Sequence, residues 1–185
     1  MNRFRRPLVA PLFTMVLALF LTLGSSAFAD GWVHTGDSVR TKSVGPFSAK
    51  VYAIRHDMKE KPASKSKQAV IDADVDKKFT WRMLRDVETG KIKKALTEAL
   101  QMNGFNDAGR IGQFVGTFKQ EEIKENQAVV ISYNAAAKNV TISVQGGAAA
   151  VISGADFMKA VWSIWLGKID QPSMGDQLIA LLPSS

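Results

Sequence analysis

The sequence of 185 residues contains no cysteine and only two histidines, His34 and His56. A chain without cysteine forms no disulfide and no thiolate zinc site, so packing alone must hold the fold together. The two histidines lack the spacing of paired metal ligands, and we predict that both are surface imidazoles and that no metal site exists. Phosphate-loop, dinucleotide-binding and nucleophile-elbow motifs are also missing, so we expect no cofactor.

A calcium site has little support either. Asp72, Asp74 and Asp76 alternate along a short polar stretch and could contribute carboxylate oxygens to a weak calcium ion. The further ligands and the glycine of a calcium loop are missing, however. A solvated turn is therefore the favoured interpretation of this stretch.

Long apolar runs are equally scarce, and the one present lies at the start of the chain. Three arginines precede an apolar stretch at 8–23, which is followed by the small-residue sequence Ala27-Phe28-Ala29. This order is typical of a secretory signal peptide, and the run is shorter than the roughly 20 residues of a spanning helix. We predict a signal peptide at 1–29, one domain at 30–185, a periplasmic or secreted location, and no membrane span after cleavage.

The charge balance argues against a nucleic-acid partner. The formal net charge is +7, and it falls to +4 without the three arginines of the predicted signal. The remaining lysines are scattered along the chain rather than concentrated on one stretch. We therefore expect no nucleic-acid binding.

The hydrophobic pattern predicts an α+β fold. Alternating apolar residues and β-branched runs predict strands at 31–45, 47–54, 78–87, 128–133 and 139–144, with a further strand to 152. Helical spacing predicts helices after Thr89, near Asp107, after Ser153 and at 176–182, with Thr89 and Ser153 as capping residues. Because strands and helices do not alternate regularly, we expect an antiparallel sheet with helices on one face.

Four polar side chains stand out on the predicted strands: Arg40, Tyr52, Arg82 and Arg85. A guanidinium beside a phenol makes a carboxylate receiver, because the arginine offers two parallel donors and the tyrosine a third. Residue pattern alone favours four ordinary rim residues over such a site. The pair Trp162 and Trp165, three apart on a predicted helix, is interpreted as core.

Several stretches resemble the chalcone isomerase family. The sequence K-F-T-W-R-M-L-R-D-V-E-T-G-K at 78–91 resembles the strand-to-helix passage of the family. The segment G-A-D-F-M-K-A-V-W-S-I-W-L-G at 154–167 is similar to the late helix of its bacterial, exported branch. The residues around Arg40 and Tyr52 are similar to its paired early strands. The resemblance covers about residues 33–182 and implies an open-faced β-sandwich, in which an antiparallel sheet carries a layer of helices and a cleft lies between them.

The same resemblance implies that the plant isomerase chemistry is largely lost. Arg40 takes the position of the catalytic arginine, but Tyr52 falls where a threonine would be. Phe105 takes the place of the catalytic tyrosine, and Gly112 falls about where the family has a side-chain amide. Met174 or Gly175 takes the late hydroxyl position. Without these donors the carbonyl charge of an isomerisation transition state is poorly stabilised.

Fatty-acid-binding members of the family resemble this chain in pairing an arginine on one strand with a tyrosine on the next. The resemblance therefore implies a carboxylate site at Arg40 and Tyr52, and a small apolar or amphipathic acid such as a fatty acid as ligand. Two alternatives stay open: an isomerase or intramolecular lyase for an unknown substrate, and an interaction domain whose cleft is filled by its own side chains. Whether the chain is an enzyme is left undecided by the sequence.

Overall fold

Strands make up one large sheet and one short pair. A computed structural model describes residues 31–45 and 47–184, so the predicted signal peptide lies outside the described residues. The strands are β1 (Val33–Val44), β2 (Phe47–Met58), β3 (Lys77–Met83), β4 (Val87–Glu88), β5 (Glu122–Ile123), β6 (Ala128–Asn134), β7 (Asn139–Val144) and β8 (Ala149–Ser153). Six of them form a sheet in the order β1-β2-β3-β6-β7-β8, with every neighbouring pair antiparallel, while β4 pairs with β5.

Five helices complete the fold within residues 31–184, apart from the undescribed position 46. They are α1 (Lys67–Asp72), α2 (Thr89–Met102), α3 (Ala108–Val115), α4 (Ala155–Leu166) and α5 (Ser173–Leu178). The predicted helices and the β6–β7 hairpin are confirmed, although α5 begins three residues earlier than its pattern indicated. In the described part of the chain, no helix is long and apolar enough to cross a membrane.

The large sheet buries one of its two faces. Along β3, Phe79, Trp81 and Met83 are buried, while Arg82 between them is exposed. The helical layer supplies the opposing surface, and α4 alone contributes eight buried residues, including Trp162 and Trp165. Each large apolar side chain removed from water stabilises the fold by about 1.5–3 kcal/mol. The predicted α+β class, an antiparallel sheet with a layer of helices, is confirmed.

Lys77 is a buried charge that the pattern did not reveal. The strand was predicted to begin at Lys78, but β3 begins one residue earlier and places Lys77 on the buried face with 0% exposure. Its Nζ donates to the carbonyl oxygens of Val70 and Ile71, at 2.7 and 3.1 Å. These carbonyls belong to the last turn of α1, where backbone carbonyl groups lack hydrogen-bond donors within the helix. Burial lowers the pKa of Lys77 to about 7.

Two predicted helix caps are wrong. The Thr89 hydroxyl donates to the carbonyl of Gln120 at 2.7 Å and so ties the start of α2 to the segment before β5. At α4 the capping position is Gly154, whose φ of 121° favours glycine, and Ser153 makes no capping bond. Asp107, by contrast, caps α3 through its carboxylate, which accepts from the Arg110 backbone N–H at 3.0 Å.

Candidate functional site

Arg40 and Tyr52 lie directly opposite each other on β1 and β2. Opposed residues of an antiparallel pair project from the same face of a sheet, here the face that carries the helices. The structure therefore brings these two predicted site residues together. It does not bring the other two to them: Arg82 is exposed on the opposite face, and Arg85 is exposed beyond the end of β3.

The Arg40 guanidinium is only partly used by the protein. Its Nη2 lies 2.6 Å from Oδ1 of Asp170, in the connection between α4 and α5, and Lys42 Nζ lies 3.3 Å from the other carboxylate oxygen. The Arg40 side chain is 17% exposed. Its Nη1 is buried and has no hydrogen-bond acceptor among the described residues. One half of the guanidinium is thus neutralised within the chain, and the other half presents unused donors.

Tyr52 adds a further donor beside Arg40. Its oxygen accepts a hydrogen bond from Trp165 Nε1 at 3.0 Å, which leaves the hydroxyl hydrogen to donate elsewhere. Burial raises the pKa of Tyr52, so the phenol is neutral and keeps that hydrogen. Its ring stacks on Trp81 with a centroid separation of 5.0 Å. Arg40 and Tyr52 together therefore form a donor pair suited to an oxygen anion.

Aromatic rings fill the space between this pair and α4. Trp81 contacts Trp165 edge-on at a centroid distance of 5.3 Å, and Phe79 lies 4.7 Å from Trp165. Phe118 stacks 6.4 Å from Trp81 on the other side. The layer is apolar, as an acyl chain requires, but its volume is occupied by these side chains.

One indole in this layer differs from its neighbours. Trp162 Nε1 donates to His56 Nε2 at 2.8 Å, and Trp165 Nε1 donates to Tyr52. Trp81 is 1% exposed, and its Nε1 has no hydrogen-bond acceptor in the part of the chain that the structure describes. Buried polar groups usually find a partner, so this N–H is an exception within a well-satisfied core.

His56 is buried rather than on the surface as predicted. Thr35 Oγ1 donates to the Leu178 carbonyl at 2.7 Å and therefore accepts from His56 Nδ1 at 2.6 Å. Because His56 Nε2 accepts from Trp162, the partners fix a neutral ring protonated at Nδ1. Burial lowers the pKa of His56 to about 3. His34 is partly exposed and contacts Asp37, at 2.7 Å between Nε2 and Oδ2.

The alternating aspartates bind protein donors. Asp72 pairs with Lys159 at 2.8 Å, and Asp76 accepts from the Ala135 backbone N–H at 2.8 Å. Asp74 accepts from the Tyr133 hydroxyl at 2.7 Å and also contacts Lys138. Among the described residues, no group of three or more potential ligands could hold a metal ion.

The positions that resemble the isomerase site offer no side-chain donors. Phe105 packs against Phe157 at a centroid distance of 5.4 Å, and Gly112 is exposed on α3. Met174 is fully buried in α5, next to Gly175. Oxyanion stabilisation of the plant type therefore has no side-chain donor at these positions.

A depression of about 750 Å³ lies on the other side of the sheet. The residues that line it include Ala53, Arg55, Thr80 and Arg82. Arg82 therefore belongs to the lining of this depression rather than to an open surface. Arg40 and Tyr52 do not line this depression.

The fold and sequence together define the class of the protein: the chain belongs to the chalcone isomerase-like family, which it matches over residues 34–176. The structure is similar to that of a fatty-acid binding protein from Arabidopsis thaliana, with a TM-score of 0.66. The match covers 81% of this chain and 87% of the plant protein, at 13% sequence identity, and so establishes a shared fold. Comparison with curated proteins gave no match.

Proposed function

We propose that this protein binds an amphipathic carboxylic acid, with Arg40 and Tyr52 receiving the carboxylate. The observation that carries this proposal is the buried Arg40 Nη1, which lacks an acceptor among the described residues and lies beside a phenol with an available hydrogen. A carboxylate accepts from both groups at once, and such charge-assisted bonds are about twice as strong as neutral ones. The plant structural neighbour is a fatty-acid binding protein, which supports the same ligand class.

The apolar part of the ligand would enter the aromatic layer between the sheet and α4. Because Trp81, Trp165 and Phe118 occupy this layer, an acyl chain must displace at least one of their rings. Aromatic side chains bring large apolar surfaces to such a layer, and an acyl chain replaces ring contacts with contacts of the same kind. Binding should therefore change the environment of the tryptophans, which fluorescence can follow.

The proposal includes export and the absence of isomerase chemistry. The signal-like sequence at 1–29 supports cleavage before Asp30, and sequencing the amino terminus of the exported protein tests this. Phe105 and Gly112 provide no side-chain donors, and one missing oxyanion donor costs about 10²–10³ in rate. Loss of chalcone absorbance above the uncatalysed rate would instead support the isomerase alternative.

Titration calorimetry with a long-chain fatty acid tests the carboxylate site. Arg40→Ala should weaken binding roughly ten- to a hundredfold, because a hydrogen bond to a charged group contributes about 1.5–3 kcal/mol. Tyr52→Phe removes one neutral donor and should cost less, about 0.5–1.5 kcal/mol. Arg85→Ala is the matched control, since it removes the same charge from an exposed position. Arg85 belongs neither to the proposed site nor to the lining of the depression on the other side of the sheet.

The methyl ester of the same acid separates the head group from the tail. It keeps the acyl chain but carries no anion, so it should bind the wild-type protein more weakly than the acid. If the ester binds as well as the acid, or if Arg40→Ala and Arg85→Ala behave alike, the carboxylate site is wrong.

An interaction domain with a filled core is the second candidate. The observation in its favour is the continuous ring contact from Tyr52 through Trp81 to Trp165. On this account neither acid nor ester produces heat or changes tryptophan fluorescence, whereas the first candidate requires both signals with the acid.

A further inference from the structure

The Trp81 N–H is a second hydrogen-bond donor without an acceptor, and it lies inside the apolar layer of the described residues. Its ring is buried and contacts the rings of Tyr52, Trp165 and Phe118, and its Nε1 has no acceptor among the described residues. The two neighbouring indoles on α4 both have acceptors, on His56 and on Tyr52. Trp162 and Trp165 thus both donate a hydrogen bond, whereas the Trp81 N–H has no acceptor among the described residues.

The position of Trp81 relates it to the carboxylate site. Ile54, two residues beyond Tyr52 on β2, pairs with Trp81 on β3, so Trp81 lies diagonally next to Tyr52 on the buried face. Arg40 and Trp81 are two strands apart, which separates their backbones by roughly 10 Å. The Trp81 side chain is closer to the site than that, since its ring stacks on Tyr52 at a centroid distance of 5.0 Å. An acceptor that meets Trp81 while a carboxylate meets Arg40 and Tyr52 must therefore lie only a few carbons along the same molecule.

We propose that the ligand is an oxygenated fatty acid, in which a carbonyl or hydroxyl oxygen a few carbons from the carboxylate accepts a hydrogen bond from Trp81 Nε1. This inference rests on the proposed function, since it takes the carboxylate at Arg40 as given. A plain acyl chain would leave the donor buried without an acceptor, whereas a chain oxygen satisfies it. Sites built around a buried donor discriminate strongly against analogues that lack the matching group.

The test compares two acids of equal length, octadecanoic acid and an oxo-octadecanoic acid with its carbonyl a few carbons from the carboxylate. Wild-type protein should bind the oxo acid about tenfold more tightly, the effect of one well-placed hydrogen bond to a buried donor. Trp81→Phe keeps an aromatic ring but removes the donor, so it should bind both acids alike. Trp32→Phe is the control, because Trp32 lies outside the layer, where its ring contacts Lys59 and Lys78, and it should retain the preference.

A measurement on the wild-type protein covers the case in which Trp81→Phe fails to fold. Nuclear magnetic resonance of ¹⁵N-labelled protein should show a downfield shift of the Trp81 indole proton with the oxo acid and a smaller change with octadecanoic acid. Equal affinities in the wild-type protein, an unchanged preference in Trp81→Phe, or the same indole shift with both acids would overturn this inference while leaving the carboxylate site intact. Failure of both acids to bind would instead refute the proposed function itself.

Discussion

Asp170 is the residue that most directly modifies the properties of the Arg40 site. Its carboxylate already holds Arg40 Nη2, and with 56% exposure it can leave toward solvent. A ligand carboxylate that claims the whole guanidinium must compete with this internal anion. We therefore expect this contact to lower the affinity of the proposed site for acids relative to a free arginine.

Asp170→Asn should consequently tighten binding of a long-chain fatty acid. Partly exposed ion pairs contribute about 0.2–1 kcal/mol, so removing the competitor should improve affinity by up to about fivefold. Asp176→Asn is the control, because Asp176 is similarly exposed but pairs with Lys67 on α1, at 2.9 Å. Weaker binding by Asp170→Asn would mean that Asp170 positions Arg40 for the ligand rather than competing with it.

The residues of the proposed site come from family resemblance rather than from residue pattern, and the contact with Asp170 was missed for an identifiable reason. Arg40 and Tyr52 follow from family resemblance, and strand pairing brings them together. Asp170 lies 130 residues from Arg40 in a connection with no regular pattern, so its contact depends on the tertiary fold. The burial of Lys77 was not predicted, and His56 was wrongly predicted at the surface. A polar residue at a strand position does not reveal whether it has buried hydrogen-bond partners.

At the scale of elements, α5 covers the free edge of the sheet by approaching the backbone of β1. An added Cβ on Gly36 would lie 2.1 Å from the Gln177 carbonyl oxygen and 2.7 Å from the Leu178 carbonyl carbon. The neighbouring Thr35 hydroxyl donates to the Leu178 carbonyl, so this contact is also a hydrogen-bonded one. Only glycine permits so close an approach without a shift of α5.

Gly36→Ala should therefore destabilise the protein by about 1–3 kcal/mol, the usual cost of overpacking a tight contact. Gly90→Ala provides the control, because an added Cβ there meets nothing within 4 Å and alanine is favoured within α2. Urea unfolding of both variants measures the difference. Equal stability of the two variants would show that α5 adapts to the extra methyl group.

The mistaken helix caps belong to this scale as well. Thr89 and Ser153 both precede helical patterns and have the side chains that cap helices. The Thr89 hydroxyl instead donates a hydrogen bond to the Gln120 carbonyl, and Gly154, with a φ of 121°, occupies the capping position of α4. Local pattern thus located the helices, whereas tertiary contacts decided how their ends are satisfied.

For the whole molecule, the buried His56 ties stability to pH. Burial lowers its pKa to about 3, with the charges of Lys77 and His34 acting in the same direction. An unfolded histidine binds a proton below about pH 6.5, so the unfolded state takes up the proton that the folded state excludes. Stability contributed by neutral His56 is therefore present above pH 6.5 and is lost as the pH falls toward 3.

Wild-type protein should lose up to about 1.4 kcal/mol of unfolding free energy per pH unit in this window through His56 alone. His56→Gln carries no titratable ring and should show a shallower slope, even though it is less stable at neutral pH. Urea unfolding at intervals between pH 6.5 and 4 gives both slopes. Parallel slopes would mean that other groups account for the acid sensitivity.

The overall architecture was predictable because period-two and helical patterns are strong in this chain. Alternation in β3, the β6–β7 hairpin and the apolar surface of α4 together required a sheet with helices on one face. The filling of the space beneath the sheet was not predictable. Side chains such as Trp81 and Trp165 can line a cleft or close it with the same sequence pattern, and only their packing distinguishes the two.

Native mass spectrometry of the purified protein tests the central claim most directly. The account predicts a bound species with the mass of a single carboxylic acid in the wild-type protein, or its appearance after incubation with fatty acids. The same species should be strongly reduced in Arg40→Ala and retained in Arg85→Ala. A wild-type protein that stays at its bare mass under both conditions, or an adduct that persists undiminished in Arg40→Ala, would contradict the proposed carboxylate site.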